Sequence, residues 1–171
     1  CKVYEVGEVV GKAYIAMQYV AGQPLDKLQR ILTIDEKVAI LATTAEAIEA
    51  AHQAGILHRD IKPANIMVQR DGDGPYVPVV MDFGLAREAN QSRGLTESGA
   101  VLGTPVYMPP EQARGEVRSL DARSDVYSLG ATLFELLTGE PPFADDTVVN
   151  VLFQVLSREA PSLRSRNPGL P

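Results

Sequence analysis

The sequence has no tryptophan, a single cysteine (Cys1) and two histidines, His52 and His58. One cysteine makes an internal disulfide impossible and points to a reducing compartment. Two histidines cannot build a His-rich metal site. Aromatic residues are only 6% of the chain, so any core must be mainly aliphatic. Basic residues do not dominate either. Sixteen Lys and Arg face 22 Asp and Glu, for a net charge of -6. An acidic chain lacks the electrostatic footprint for nucleic acid or for an anionic membrane surface, and neither is expected as a partner. No apolar run approaches the roughly 18 residues that a membrane-spanning helix needs. No signal-peptide pattern opens the chain. A cytoplasmic location is therefore expected, with any membrane anchor lying elsewhere in a longer protein. Repeats and low-complexity stretches are also lacking.

What the chain does have is length and apolar content. Its 171 residues are 45% hydrophobic, enough for a real core. Val3-Tyr4-Glu5-Val6 and Ala13-Tyr14-Ile15-Ala16-Met17 flank Gly7 and Gly11 and read as two strands joined by a turn. Ala21-Gly22-Gln23-Pro24 reads as a breaker or linker. Thr33 to Ala54 has the signature of a long helix. Thr33 and Glu36 form a capping box, Val38, Leu41, Ala45 and Ile48 recur at helical spacing, and Gly55 suits the left-handed position past the end. Ile66-Met67-Val68 and Val77 to Met81, separated by Asp71-Gly72-Asp73-Gly74-Pro75, predict a hairpin with a polar tip. Residues 84 to 124 show little periodicity and read as a long functional loop. Val126 to Thr138 is apolar nearly all round and predicts a buried helix, with Asp125 near its start. Thr147 to Arg158 predicts a further amphipathic helix. The segment Pro161 to Pro171 shows no closing element.

The chemistry concentrates in His58-Arg59-Asp60-Ile61-Lys62-Pro63-Ala64-Asn65 and Asp82-Phe83-Gly84. Phosphoryl transfer needs a group to orient a hydroxyl nucleophile and late in the reaction accept its proton. It also needs cations to neutralise the transferred group. A loop offering a carboxylate (Asp60), an ammonium (Lys62) and an amide oxygen (Asn65) supplies three of these parts. Asp82, at the end of a nearby strand, supplies a hard oxygen ligand for Mg²⁺. The hairpin between residues 66 and 82 should bring Asn65 and Asp82 side by side.

This set, in this order, resembles the protein kinase family. Tyr14 to Val20 resembles the strand and hinge between the two lobes of that family. Gly103-Thr104-Pro105-Val106-Tyr107-Met108-Pro109-Pro110-Glu111 is similar to its peptide-docking segment, and Asp125-Val126-Tyr127-Ser128-Leu129-Gly130 to its central buried helix. The resemblance covers nearly the whole chain. It implies an α+β protein-kinase-like fold, here a mainly helical C-terminal lobe with a small β-hairpin. Residues 1–22 would be a remnant of N-lobe strands and hinge, and residues 23–171 a C-lobe incomplete at its C-terminus. Exposed apolar surface is then expected at Val3, Tyr4, Tyr14 and Ile15.

The resemblance also implies roles. Asp60 would be the catalytic base, Lys62 the γ-phosphate contact, and Asn65 and Asp82 the Mg²⁺ ligands. ATP would sit on Met67, with hinge contacts from the backbone of Gln18 and Val20 and Met17 guarding the back pocket. Thr104 would pack on Asp60 and Lys62. His58 and Phe83 would stack in an internal column, with Gly84 completing the second motif. Asp125 would bond the backbone near His58 and Arg59. Glu111 would pair with an Arg beyond the chain. Arg59 would pair with a phosphate on Thr96 or Ser98. His52 is expected to be a satisfied polar residue of its helix. Lys62 looks like the Ser/Thr class, and Met108-Pro109-Pro110-Glu111-Gln112-Ala113-Arg114-Gly115 resembles bacterial members. ATP, Mg²⁺ and protein substrates with Ser/Thr acceptors are the implied cofactors and partners. The chain departs from the family in having no Gly-rich phosphate loop. Gly7 to Lys12 is one residue short of a P-loop and lacks its Ser/Thr. A non-catalytic, pseudokinase-like binding module is the alternative expectation, and a small-molecule phosphotransferase a further one.

Overall fold

The computed structural model describes residues 1–70, 72–83 and 104–171. Gly84, Thr96 and Ser98 lie outside these described residues. Strands β1 (Val3–Val9) and β2 (Lys12–Met17) pair antiparallel, with Val6 opposite Ile15 and Gly7 opposite Tyr14. The two form a sheet of their own. Val3, Tyr4, Tyr14 and Ile15 are 46%, 67%, 37% and 40% exposed, as the sequence led one to expect.

The chain then crosses to a second sheet. Gln23–Pro24 is not a linker but a short strand, β3, pairing antiparallel with β4 (Ile66–Arg70), Gln23 against Val68 and Pro24 against Met67. It lies at the sheet edge, where proline's missing N–H need cost no ladder bond. Gly22 makes the approach possible, because a Cβ there would lie 2.3 Å from the Val68 carbonyl oxygen. β5 (Tyr76–Val80) completes the predicted hairpin, with Ile66 opposite Val80.

Helix α1 (Leu25–Leu28) follows β3, and α2 (Ile34–Gln53) begins at the predicted capping box. Thr33 Oγ1 accepts from the Glu36 N–H at 3.2 Å, and Glu36 Oε2 accepts from the Thr33 N–H at 2.8 Å. Gly55 takes φ +76° past the helix end. The main core packs Leu25, Leu28 and Leu32 against Ile40 and Leu41 of α2 and Ile66 and Val68 of β4. Leu136 closes it from the helix α4 described below.

Residues 104–124 are more regular than their composition suggested. A 3₁₀ turn spans Pro105–Tyr107, helix α3 spans Pro110–Ala113, and a second 3₁₀ turn spans Val117–Ser119. The proline at the start of α3 presets the helical φ and lacks only an N–H that would go unpaired there. Helix α4 (Ala122–Thr138) starts four residues before the expected position, capped by Asp121, whose side chain accepts from the Arg123 N–H at 2.8 Å. Its burial is one-sided. Asp125, Ser128, Thr132 and Phe134 are buried, whereas Val126 is 62% exposed. Helix α5 (Val148–Ser157) follows, capped by Thr147, and Val151 and Val155 pack on Phe143. The last segment carries a short helix, α6 (Leu163–Arg166), capped by Ser162, and Asn167 Nδ2 donates to the Leu137 carbonyl at 2.8 Å. No described helix is long and apolar enough to cross a membrane.

Candidate active site

The site is built on two supports, the hairpin and α4. From α4, the carboxylate of Asp125 is 1% exposed and reaches back to the segment after α2. Its Oδ2 accepts from the His58 N–H at 2.8 Å and its Oδ1 from the Arg59 N–H at 2.7 Å. Arg59 has φ +66°, a left-handed backbone that L side chains rarely adopt. Two charge-assisted bonds therefore hold a strained turn in place, immediately before Asp60.

From the hairpin, the ladder extends one step past β5. The Met81 N–H donates to the Asn65 carbonyl at 2.9 Å, and Asp82 follows with φ +57°. The His58 ring ties this end down. His58 is fully buried, and its Nε2 lies 2.9 Å from the Met81 carbonyl. A carbonyl only accepts, so Nε2 carries the proton and Nδ1 is left to accept from the Asp60 N–H at 3.3 Å. The ring also lies 4.8 Å from that of Phe83, tilted by 50°. Phe83 in turn packs on Ile48, Ile61 and Val80.

Burial pushes the His58 imidazole below its ordinary value of 6.5, offset in part by the Met81 carbonyl. The unfolded chain thus takes up a proton near pH 6.5 that the folded chain refuses until lower pH. Stability is therefore full above that pH and falls as the pH drops below it. We expect a slope of up to about 1.4 kcal/mol per pH unit from this group, read by urea denaturation between pH 7 and 5. His58→Phe should flatten the curve. An unchanged slope in that variant would remove His58 as the cause.

The polar groups of the 60–65 loop sit between these supports. Lys62 Nζ donates to Asp60 Oδ2 at 2.8 Å and lies 3.4 Å from Thr104 Oγ1. Asn65 Nδ2 donates to the Asp60 carbonyl at 2.8 Å and to Asp60 Oδ2 at 3.0 Å. With its amide nitrogen so engaged, Asn65 presents its oxygen elsewhere. Asp60 Oδ2 is saturated, while Oδ1 takes no bond among the described residues. Asp60, Lys62, Asn65 and Thr104 thus form one cluster around a half-exposed carboxylate. Asp60 and Thr104 also line a cavity of about 10 Å³ with Arg59, Tyr107 and Gln112, room for one water.

Other residues singled out from the sequence have partners of their own. Met17 ends β2, opposite Val3, and shares no strand pairing with Met67, which lies in β4 between Pro24 and Val79. The Gln18 N–H donates to the Lys2 carbonyl at 2.7 Å. The Val20 carbonyl accepts from Gly22 at 2.9 Å, and Val20 is buried. Glu111 accepts from the Ser124 hydroxyl.

Three contacts were not legible in the sequence. The Tyr107 hydroxyl donates to Glu135, and the Ser128 hydroxyl donates to the Tyr107 carbonyl at 2.9 Å, so α4 grips the 104–109 segment twice. Burial raises the Glu135 carboxyl above the usual carboxylate range, and burial together with Glu135 raises Tyr107. The third is His52, whose Nε2 lies 2.7 Å from Asp125 Oδ2. No sequence spacing announces any of them, because each joins elements that are distant in the chain.

The model of the protein kinase domain matches residues 1–166. The chain belongs to the protein kinase family. Among curated relatives, the serine/threonine-protein kinase PknB of Mycobacterium tuberculosis is 43% identical over 176 residues, covering 98% of this chain and 27% of that protein. The PknB of Mycolicibacterium smegmatis is 45% identical over 175 residues, covering 96% and 26%. The kinase domain of PknI from Mycobacterium tuberculosis superposes with a TM-score of 0.72 at 29% identity, covering 99% of this chain and 58% of that one. The chain thus spans about a quarter of the length of these curated kinases, and the α+β protein kinase fold is established for it.

Proposed function

We propose that the protein carrying this chain is a Ser/Thr protein kinase that transfers the γ-phosphoryl group of ATP to hydroxyls of protein substrates. The observation that carries this reading is the cluster of Asp60, Lys62, Asn65 and Thr104 around one carboxylate oxygen. In this reading Asp60 Oδ1, the oxygen left open, orients the acceptor hydroxyl and takes its proton as the oxygen–phosphorus bond forms. Lys62 steadies Asp60 and offers its ammonium to the γ-phosphate. Thr104 keeps the docking segment beside both. The adenine would rest against Met67, with Met17, Gln18 and Val20 at its edge. Residues 1–22 would belong to the N-lobe and residues 23–171 to the C-lobe. The change of sheet between β2 and β3 supports that division.

The donor set suits Mg²⁺. Asn65 turns its amide nitrogen toward Asp60, which leaves a hard amide oxygen, and Asp82 has no hydrogen bond or ion pair among the described residues. Asn65 and Asp82 would hold the ion, adjacent through the Met81–Asn65 ladder bond. When bound, Mg²⁺ neutralises charge on the phosphates.

The test is incubation of the full-length protein with Mg-ATP and a Ser/Thr-containing protein acceptor, followed by phosphoamino-acid analysis. Phosphoserine or phosphothreonine is the expected product. Nucleotide binding with no transfer would instead favour a non-catalytic binding module.

Regulation is expected at Thr96 and Ser98, because Arg59 adjoins Asp60 and guanidinium–phosphate pairing is strong. Thr96→Ala combined with Ser98→Ala should lower activity by about tenfold, the worth of one charge-assisted hydrogen bond. An unchanged rate would rule this regulation out.

A further inference from the structure

Gln112 lies in helix α3 and takes no part in the cluster around Asp60. Its Oε1 is buried and has no hydrogen-bond partner among the described residues. A buried acceptor left dry is costly, and native proteins pair such atoms with protein or with ordered water. Gln112 also lines the cavity of about 10 Å³ beside Asp60, together with Thr104, Tyr107 and Ser128. That is the size of one water.

Two other groups on this cavity have hydrogen-bonding capacity to spare. Lys62 Nζ only donates, so Thr104 Oγ1 accepts from it at 3.4 Å and turns a lone pair toward it. The hydroxyl hydrogen of Thr104 then points elsewhere and finds no acceptor among the described residues. Ser128 directs its own hydrogen to the Tyr107 and Ser124 carbonyls, at 2.9 and 3.2 Å, which leaves its oxygen free to accept. A water in the cavity thus meets one donor and two acceptors, and about three partners is the usual number for a buried water.

We propose that this cavity is a structural water site and that Gln112 is a positioning residue acting through it. The water accepts from the Thr104 hydroxyl and donates to Gln112 Oε1 and Ser128 Oγ. The consequence is directional. A threonine hydroxyl hydrogen rotates to suit its surroundings. Held by the water, it stays turned away from Lys62, and the lone pair stays aimed at Nζ. Lys62 in turn donates to Asp60 Oδ2 at 2.8 Å. Helix α3 is therefore tied to Asp60 through the water, Thr104 and Lys62. The effect on rate rests on the kinase reading, whereas the water itself does not.

The experiment compares the full-length protein with Gln112→Met and Gln112→Glu. Methionine keeps the length and most of the volume but offers no oxygen. Glutamate keeps an acceptor oxygen at the same reach. Two quantities are read: steady-state phosphotransfer, and a crystal structure of each protein at a resolution that shows ordered water. The parent should hold a water within hydrogen-bond distance of both Gln112 Oε1 and Thr104 Oγ1, and Gln112→Met should lack it. Gln112→Met should lose roughly fivefold in kcat, the worth of one hydrogen bond, with KM for ATP nearly unchanged. Gln112→Glu should recover most of the rate and the water. A parental structure without this water would overturn the proposal whatever the rates. Parental kcat in Gln112→Met would overturn the positioning role, and so would a glutamate variant as slow as the methionine one, since shape would then be the cause. If the parent transfers no phosphate, the kinase reading fails, and the crystal structures alone decide the water site.

Discussion

Asp60→Asn is expected to abolish measurable phosphotransfer, with a loss on the order of 10² to 10⁴-fold in kcat, the usual worth of a positioned general base. The geometry explains why so small a change matters. Asp60 is held from three sides: by Lys62 at 2.8 Å, by Asn65 at 3.0 Å, and by the bond from its own N–H to His58 Nδ1 at 3.3 Å. Asparagine keeps the size and much of this bonding. What it loses is the negative charge and the oxygen basicity that, in the proposed reading, orient a hydroxyl and receive its proton. Nucleotide affinity should therefore change little while turnover collapses, a split that distinguishes a chemical role from a folding defect. Retention of more than about a tenth of parental kcat would show that another group accepts the proton.

The second large effect is on stability. Asp125→Ala is expected to destabilise the domain by about 3–5 kcal/mol, measured by urea denaturation of the full-length protein. Three donors converge on this carboxylate: His52 Nε2, the His58 N–H and the Arg59 N–H. Alanine leaves all three without an acceptor in a site from which water is excluded, and unmade buried bonds cost more than made ones contribute. It also removes what holds Arg59 at a positive φ. Asp125→Asn should recover only part of the loss, because its amide nitrogen would face an N–H. A change below about 1 kcal/mol in the alanine variant would mean that the turn is held by other contacts.

Much of the fold could be read from local pattern. The helix from Thr33 to Ala54 is announced by its own capping box and by Gly55, interactions that close within four residues and so leave a trace in the sequence. The hairpin of β4 and β5 is similarly local. Asp60, Lys62, Asn65 and Asp82 stand out because phosphoryl transfer demands those chemical types close together, and the hairpin shows how Asp82 returns to Asn65. The errors fall where partners are remote or elements are short. Gln23–Pro24 looks like punctuation, and only the distant β4 makes it a strand. Val126 reads as core by its neighbours, yet it lies on the uncovered side of α4.

The sequence by itself determined the family, the order of the segments and the chemical types at the site. Motif identity and spacing are one-dimensional properties, and a carboxylate, an ammonium and hard oxygen donors are recognised by their chemical type alone. The tertiary structure decided how those groups are aimed. Asp125 of α4 holds the His58–Arg59 turn that precedes Asp60, and Lys62 is brought to Thr104. Tyr107 is latched to Glu135 and Ser128, and His52 is turned from a helix-end histidine into a donor to the buried carboxylate. Each of these joins residues far apart in the chain, and their energies depend on burial and direction, which no spacing along a sequence encodes.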